Sequence, residues 1–240
     1  MSHIQAARAG RITREMTLVA EQEGREPEFI RQRVATGRIV ILANPDHPRV
    51  APLGVGEGLR TKVNANLGTS TDASDPDEER RKARQADEAG ADALMDLSTG
   101  GDLKALRRML LEEFRQPLGT VPIYEAATRS LRAGRPVVET DPDDMIRVIR
   151  EQAEEGVDFM TIHAGVTRES LDRLCEQGRV ADIVSRGGAI LTQWMLRHDR
   201  ENPLYERFDE ILDVCRRHAV PISLGDGLRP GCLEDATARA

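Results

Sequence analysis

Three stretches of the chain share one order of polar and apolar positions: GADALMDLSTG at 90–100, GVDFMTIHAG at 156–165 and, more loosely, HAVPISLGDG at 218–227. Each runs through a short apolar segment to a polar, glycine-bearing tip, and an amphipathic helix precedes the first two. The helix ahead of the second copy is the best marked. Asp141 can cap it, Pro142 suits its first turn, Met145, Ile149 and Ala153 recur on one stripe, and Gly156 ends it. Strands that alternate with helices over short connections imply parallel pairing. The pattern predicts six strands, at residues 62–67, 93–98, 119–125, 159–163, 184–191 and 220–224, with VSRGGAIL the least regular.

Ahead of this region, residues 1–58 read as a charged helical extension. A helix is predicted over 14–23 and another over 27–36, opened by a proline and stopped at Gly37; an apolar run at 39–42 and the loop ANPDHPRVAP follow. Residues 59–240 then read as the first part of a (β/α)8 barrel, an α/β fold, here incomplete. Six strands cannot close a barrel of eight, and the outer two would keep unpaired backbone edges. The chain is therefore expected to be the N-terminal portion of a longer barrel, with an open doubly wound sheet as the alternative.

With 240 residues, 39% of them hydrophobic, the chain can bury a substantial core. Its net charge of −7 argues against a general nucleic-acid binder while allowing a local basic pocket. Arg8, Arg11, Arg14 and Glu15 interrupt the N-terminus, so it lacks the apolar region of a secretory signal. The longest uncharged run, residues 187–196, falls short of the ~18 needed to span a bilayer. A cytoplasmic protein with no membrane partner is expected. Cys175, Cys215 and Cys232 do not have zinc or cluster spacing, and the first two sit on the apolar sides of predicted helices, where a thiol is a small core residue. No metal site is assigned to these residues.

The chemistry concentrates at predicted strand ends. In SLGDGLRPG, Ser223 and Leu224 end a strand, Gly225 and Gly227 let the backbone turn, and Asp226 and Arg229 project from that turn. Asn64 and Asn66 share one strand face as amides expected to be buried; Met95 and Asp96 lie on the next strand, ahead of Ser98-Thr99-Gly100. Tyr124 ends TVPIY, His163 ends TIHAG, and Ser185-Arg186-Gly187-Gly188 forms a compact nest suited to phosphate. Each has a structural reading as well: a hydrogen-bonded histidine, a core tyrosine or methionine, a turn that needs glycine. Their recurrence at successive strand ends points to an enzyme that holds a small phosphorylated substrate, with Arg186 and Arg229 as phosphate forks.

Taken in order, KVNANLGTS (62–70), ADALMDLSTGG (91–101), GTVPIYEA (119–126), EEGVDFMTIHAG (154–165), DIVSRGGAI (182–190), ENPLYERFDEI (201–211) and SLGDGLRPG (223–231) resemble the phosphomethylpyrimidine synthase family of thiamine biosynthesis. The resemblance covers nearly the whole chain from about Pro27. It implies conversion of 5-aminoimidazole ribonucleotide into 4-amino-5-hydroxymethyl-2-methylpyrimidine phosphate, with release of formate and carbon monoxide. It also implies S-adenosylmethionine, a [4Fe-4S] cluster with an electron donor, zinc, and a homodimer. The substrate contacts it implies are Asn66, Met95, Tyr124, His163, Ser185, Arg186, Gly187, Asp226, Gly227, Leu228 and Arg229. The Ser-Arg-Gly turn and Arg229 suit phosphate; Asp226, Asn66 and His163 suit ribose hydroxyls and the imidazole amine. The family's glutamate, zinc histidines and C-x-x-C-x-x-x-x-C cluster ligands have no counterpart in these residues, so no catalytic residue is named. The chain is expected to shape a substrate pocket without generating the radical. Two alternatives stay open: 5-hydroxybenzimidazole synthase of anaerobic cobamide biosynthesis, which shares substrate and chemistry, and a catalytically incomplete nucleotide-binding fragment. An aldolase-like barrel would need a strand-end lysine, and Lys62 opens its strand instead.

Overall fold

The computed structural model describes residues 2–237. It opens with helices α1 (His3–Arg8), α2 (Arg14–Glu23) and α3 (Pro27–Ala35). Thr13 Oγ1 caps α2 by accepting from Met16 N, Gly24 ends it in the left-handed region at φ 61°, and Pro27 takes a first-turn position of α3 where no amide donor is needed. An antiparallel ribbon follows, β1 (Ile39–Leu42) paired with β2 (Leu53–Gly56). Met16, Val19, Ile30, Val34, Ile39 and Ile41 close one apolar core among these elements.

The remainder alternates strand and helix: β3 (Asn64–Leu67), α4 (Pro76–Glu88), β4 (Ala93–Asp96), α5 (Leu103–Glu113), β5 (Leu118–Thr120), α6 (Pro122–Arg132), a 3-10 turn (Val137–Glu139), α7 (Pro142–Glu154), β6 (Phe159–Ile162), α8 (Arg168–Gln177), α9 (Arg186–His198), α10 (Pro203–Glu206), α11 (Phe208–His218), β7 (Ile222–Leu224) and a closing 3-10 turn (Glu234–Thr237). Strands β3 to β7 lie in chain order in one parallel sheet, in register through Asn66 with Met95, Met95 with Gly119, and Gly119 with Phe159. As the sequence predicts, Met145, Ile149 and Ala153 are buried along α7, and Asp141 Oδ1 accepts from Asp143 N at its start.

Two expectations are corrected. Residues 184–191 form no strand: Ser185 Oγ accepts from Gly188 N and caps α9, which buries Leu191, Trp194 and Met195, so the parallel sheet has five strands. The strand expected over 119–125 stops at Thr120, because Pro122 has the fixed φ and the missing donor that suit a first helical turn. Tyr124 therefore sits in the first turn of α6 rather than at a strand end.

The chain divides into two compact units. One comprises the chain through Thr120 with Arg150–Met160 and Asp213–Ile222; the other comprises Val121–Ile149, Thr161–Leu212 and the described residues from Ser223 on. In the first, Leu67, Leu94, Leu106, Leu110 and Leu118 build a core between strands and helices. The proline-rich loop of the same unit is anchored on Asp158, which is fully buried and accepts from Asn44 N at 2.8 Å, Leu118 N at 2.8 Å and His47 Nδ1 at 2.7 Å. In the second, buried Trp194 donates from Nε1 to Thr140 O at 2.9 Å and fixes α9 to the segment that precedes α7.

Candidate functional site

His163 directly follows β6 and is 4% exposed. Its ring is confined by two glycine backbones: a Cβ on Gly187 would lie 2.5 Å from Cε1, and one on Gly225 would lie 2.7 Å from Cγ. The Nδ1 atom is buried without a hydrogen-bond partner, so its hydrogen-bonding capacity is unused. Burial holds the imidazole below its usual pKa, opposed by Asp226 and reinforced by Arg229. His163 thus enters the site as a neutral group with hydrogen-bonding capacity to spare.

The Ser185-Arg186-Gly187 turn is the N-terminus of α9. Arg186 stands on the first position of this helix, where the macrodipole already favours an anion. Its guanidinium lies over the Tyr124 ring at 5.1 Å and has no ion pair among the described residues. Burial pushes the Tyr124 phenol up, while Arg186 and Arg229 both pull it down, so the hydroxyl lies in the field of both guanidiniums. Arg229 folds back on its own turn, with Nη1 donating to Asp226 O at 3.3 Å and lying 3.6 Å from Asp226 Oδ1. The two turns meet backbone to backbone: a Cβ on Gly188 would lie 2.0 Å from Gly227 O. Tyr124, His163, Ser185, Arg186, Gly187, Asp226, Gly227, Leu228 and Arg229 are thereby gathered in the second unit.

Asn66 and Met95 belong to the first unit, where they face each other across β3 and β4 in register. Met95 is buried, but Asn64 and Asn66 are exposed, contrary to the expectation of buried amides, because β3 is an edge strand. Cys175 is also exposed, one position beyond the buried Leu171 and Leu174 stripe of α8.

Three positioning residues carry no strand-end signature. Asn202 is fully buried and donates from Nδ2 to His163 O and Val166 O, both at 2.9 Å, which fixes the turn after β6. Arg179 Nη1 donates to Leu228 O at 2.6 Å. Asp235 accepts from Val180 N at 2.8 Å and Ala181 N at 2.9 Å, and those hydrogen bonds, that from Ala181 foremost, lower its pKa. Arg179 clasps the Asp226–Arg229 turn to the segment leading into Ser185, and Asp235 fastens the closing 3-10 turn to that same segment. Asn202 stands within ENPLYERFDEI, which offered the one available sequence signal for it.

Among the described residues no group of three or more His, Cys, Asp or Glu side chains is arranged to hold a metal ion. Cys215 is buried, with its thiol pushed up to about 11 by that burial, Cys175 is exposed and Cys232 is half-buried. A [4Fe-4S] cluster needs converging thiolates and a zinc ion needs a close ligand set, so the residues present fit neither. No helix among the described residues is long and apolar enough to cross a membrane.

Residues 2–240 match the Radical SAM ThiC family. Three relatives, each named phosphomethylpyrimidine synthase, align with the whole chain. That of Syntrophus aciditrophicus (strain SB) is 52% identical over 239 residues, which cover 56% of its own length. That of Desulforamulus reducens is 53% identical over 240 residues, 56% of its length, and that of Thermus thermophilus is 53% identical over 241 residues, 55% of its length. The chain spans about half the length of the curated relatives it matches. With a match over nearly every residue and relatives 52–53% identical along the whole chain, the chain belongs to the Radical SAM ThiC family.

Proposed function

We propose that this chain is the substrate-binding portion of a phosphomethylpyrimidine synthase, a cytoplasmic lyase that turns 5-aminoimidazole ribonucleotide into 4-amino-5-hydroxymethyl-2-methylpyrimidine phosphate, formate and carbon monoxide for thiamine biosynthesis. In this reading residues 1–58 are a helical extension and 59–240 the first part of a (β/α)8 barrel. The whole enzyme is a homodimer that uses S-adenosylmethionine, a [4Fe-4S] cluster served by an electron donor, and zinc. The residues described above fit neither metal group, so their part is to bind and orient.

The observation that carries this reading is the gathering of Tyr124, His163, Arg186 and Arg229 around two glycine turns. A phosphate monoester is a dianion with three terminal oxygens, and it suits Arg186 at the α9 N-terminus together with Arg229. Ser185, Gly187, Gly227 and Leu228 supply the close backbone approach around it. Asp226 is an acceptor for ribose hydroxyls, and the unpartnered Nδ1 of His163 meets the base or its amine. Asn66 and Met95 enter through the family resemblance.

Calorimetric titration with 5-aminoimidazole ribonucleotide tests the assignment. Arg186→Ala and Arg229→Ala are each expected to weaken binding about tenfold or more, ~1.4 kcal/mol, and the dephosphorylated nucleoside should bind weakly and be indifferent to both. Equal affinity for nucleotide and nucleoside would overturn the assignment.

A further inference from the structure

The first unit holds a cavity of about 590 Å³ whose lining includes Arg14, Arg49, Arg115, His3, Thr13 and Glu15, none of them assigned to the site above. In this acidic chain, arginines of the same unit are mostly spoken for: Arg31 by Glu28, Arg38 by Glu57, Arg60 by Asp92, Arg80 by Glu113 and Arg107 by Glu155. The three at the cavity are different. Arg115 has no side-chain ion pair or hydrogen bond among the described residues, Arg14 has none either but lies in the field of Glu15, and Arg49 only donates to Glu112 O at 3.5 Å.

Two further features favour an anion. Helix α2 starts at Arg14 and brings its N-terminal partial positive charge to the cavity wall, where Thr13 and the Glu15 carboxylate already accept part of its free amide donors. His3 Nε2 is buried without a partner, and burial holds this imidazole below its usual pKa, so it is a neutral ring with one unused hydrogen-bonding atom. Pro45, Pro48 and Pro52 stiffen the opposing loop, which Asn44 and His47 fasten to Asp158. The cavity is therefore preformed, and its volume lies in the range of about 300–1,000 Å³ usual for small-molecule sites.

We propose that this cavity is a second binding site, for a small phosphate-bearing metabolite held by Arg14, Arg49 and Arg115 with His3 Nε2 as an additional partner. Glu15 opposes the ligand: its carboxylate takes hydrogen bonds from its own amide and from Thr13, at the helix end an anion would use, and it lies 3.9 Å from His3 Nδ1 and in the field of Arg14.

NMR of the full chain, following arginine Nε–Hε and histidine ring resonances during titration with ribose 5-phosphate or inorganic phosphate at ionic strength fixed with KCl, tests this. Saturable shifts at Arg14, Arg49, Arg115 and His3 are expected. Arg14→Gln and Arg115→Gln should each weaken binding about tenfold, and Glu15→Gln should tighten it several-fold. The Arg186→Ala/Arg229→Ala double variant should leave these shifts unchanged, which separates this site from the one proposed above. Ribose 5-phosphate should bind more tightly than inorganic phosphate. Equal affinity for the two, shifts that never saturate, or shifts that persist undiminished in Arg14→Gln would each overturn the proposal. Both arginines are exposed, so their variants should keep the far-ultraviolet dichroism of the parent; Glu15→Gln tests the same site by a gain that no folding defect produces.

Discussion

A methyl group added at Gly187 would lie 2.5 Å from Cε1, 2.6 Å from Nε2 and 2.7 Å from Nδ1 of His163. Ordinary carbon contacts are ~3.5–4.0 Å, so relief requires a displacement of about 1 Å. The ring has little room to retreat, because Gly225 limits it at Cγ and Cδ2 and only 4% of the residue reaches solvent. Overpacking of this kind costs about 1–3 kcal/mol, and a 1 Å misplacement of a ligand-facing group costs about 10²-fold in function. Gly187→Ala should therefore lower urea stability by that amount and weaken nucleotide binding together. The cause is isolated by a double-mutant cycle with His163→Ala. Once the ring is gone, the added methyl has space, and its cost should fall below about 0.5 kcal/mol. Gly165, with nothing within 4 Å of an added Cβ, is the control, and Gly165→Ala should change stability by no more than about 0.5 kcal/mol. If Gly187→Ala costs the same with and without the imidazole, the confinement argument is wrong.

Arg179→Ala releases the Leu228 carbonyl and is expected to weaken nucleotide binding about tenfold by calorimetry, with Arg179→Lys recovering part of the loss. Asp158→Ala leaves Asn44 N, Leu118 N and His47 without their buried acceptor, and urea denaturation should register a loss of about 3–5 kcal/mol. Cys215, buried with its pKa pushed up to about 11, should stay unmodified by a thiol-disulfide reagent at pH 8 while exposed Cys175 reacts; fast modification of both in the native chain would contradict that burial. Because the native pKa of His163 is depressed, the unfolded chain takes up that proton first. Its contribution to stability is present above ~6.5 and is lost as pH falls through the lowered native value, so His163→Gln should flatten the decline in urea midpoint between pH 7.5 and 5.5.

How much was legible depended on whether the cause was local. Thr13 and Gly24 bracket α2, and Gly-apolar-Asp runs mark β4 and β6, because caps and short strands are set by neighbours in sequence. VSRGGAIL deceived because a run of small and apolar residues suits a strand as well as a helix start. The deciding signal lay farther on, where Leu191, Trp194 and Met195 recur at helical spacing behind a Ser185 cap. The two turns that gather on His163 were legible because each carries its glycines within a few residues. Asn202, Arg179 and Asp235 were not: they act on backbone 36 to 55 positions away, and a side chain that bonds a distant amide or carbonyl leaves no period in the sequence.

Those distant bonds complete what the glycines begin. Gly187, Gly188, Gly225 and Gly227 let two turns and an imidazole approach within distances that any Cβ would forbid; a methyl on Gly227, for example, would lie 2.2 Å from Val166 Cγ2. Glycine gives closeness without stiffness, since it restricts the backbone least of all residues. The stiffness that the two arginines would need in order to share one phosphate, as proposed above, comes from elsewhere: Asn202 ties down the turn after β6, Arg179 ties the Asp226–Arg229 turn to the approach to Ser185, and Asp235 fastens the closing 3-10 turn to that same approach. The two classes of residue should therefore fail differently. Substituting a glycine should introduce a clash and lower stability and affinity together, whereas cutting one of the clasping bonds should leave the packing intact and lower affinity first, because the Asp226–Arg229 turn is then no longer held against the approach to Ser185.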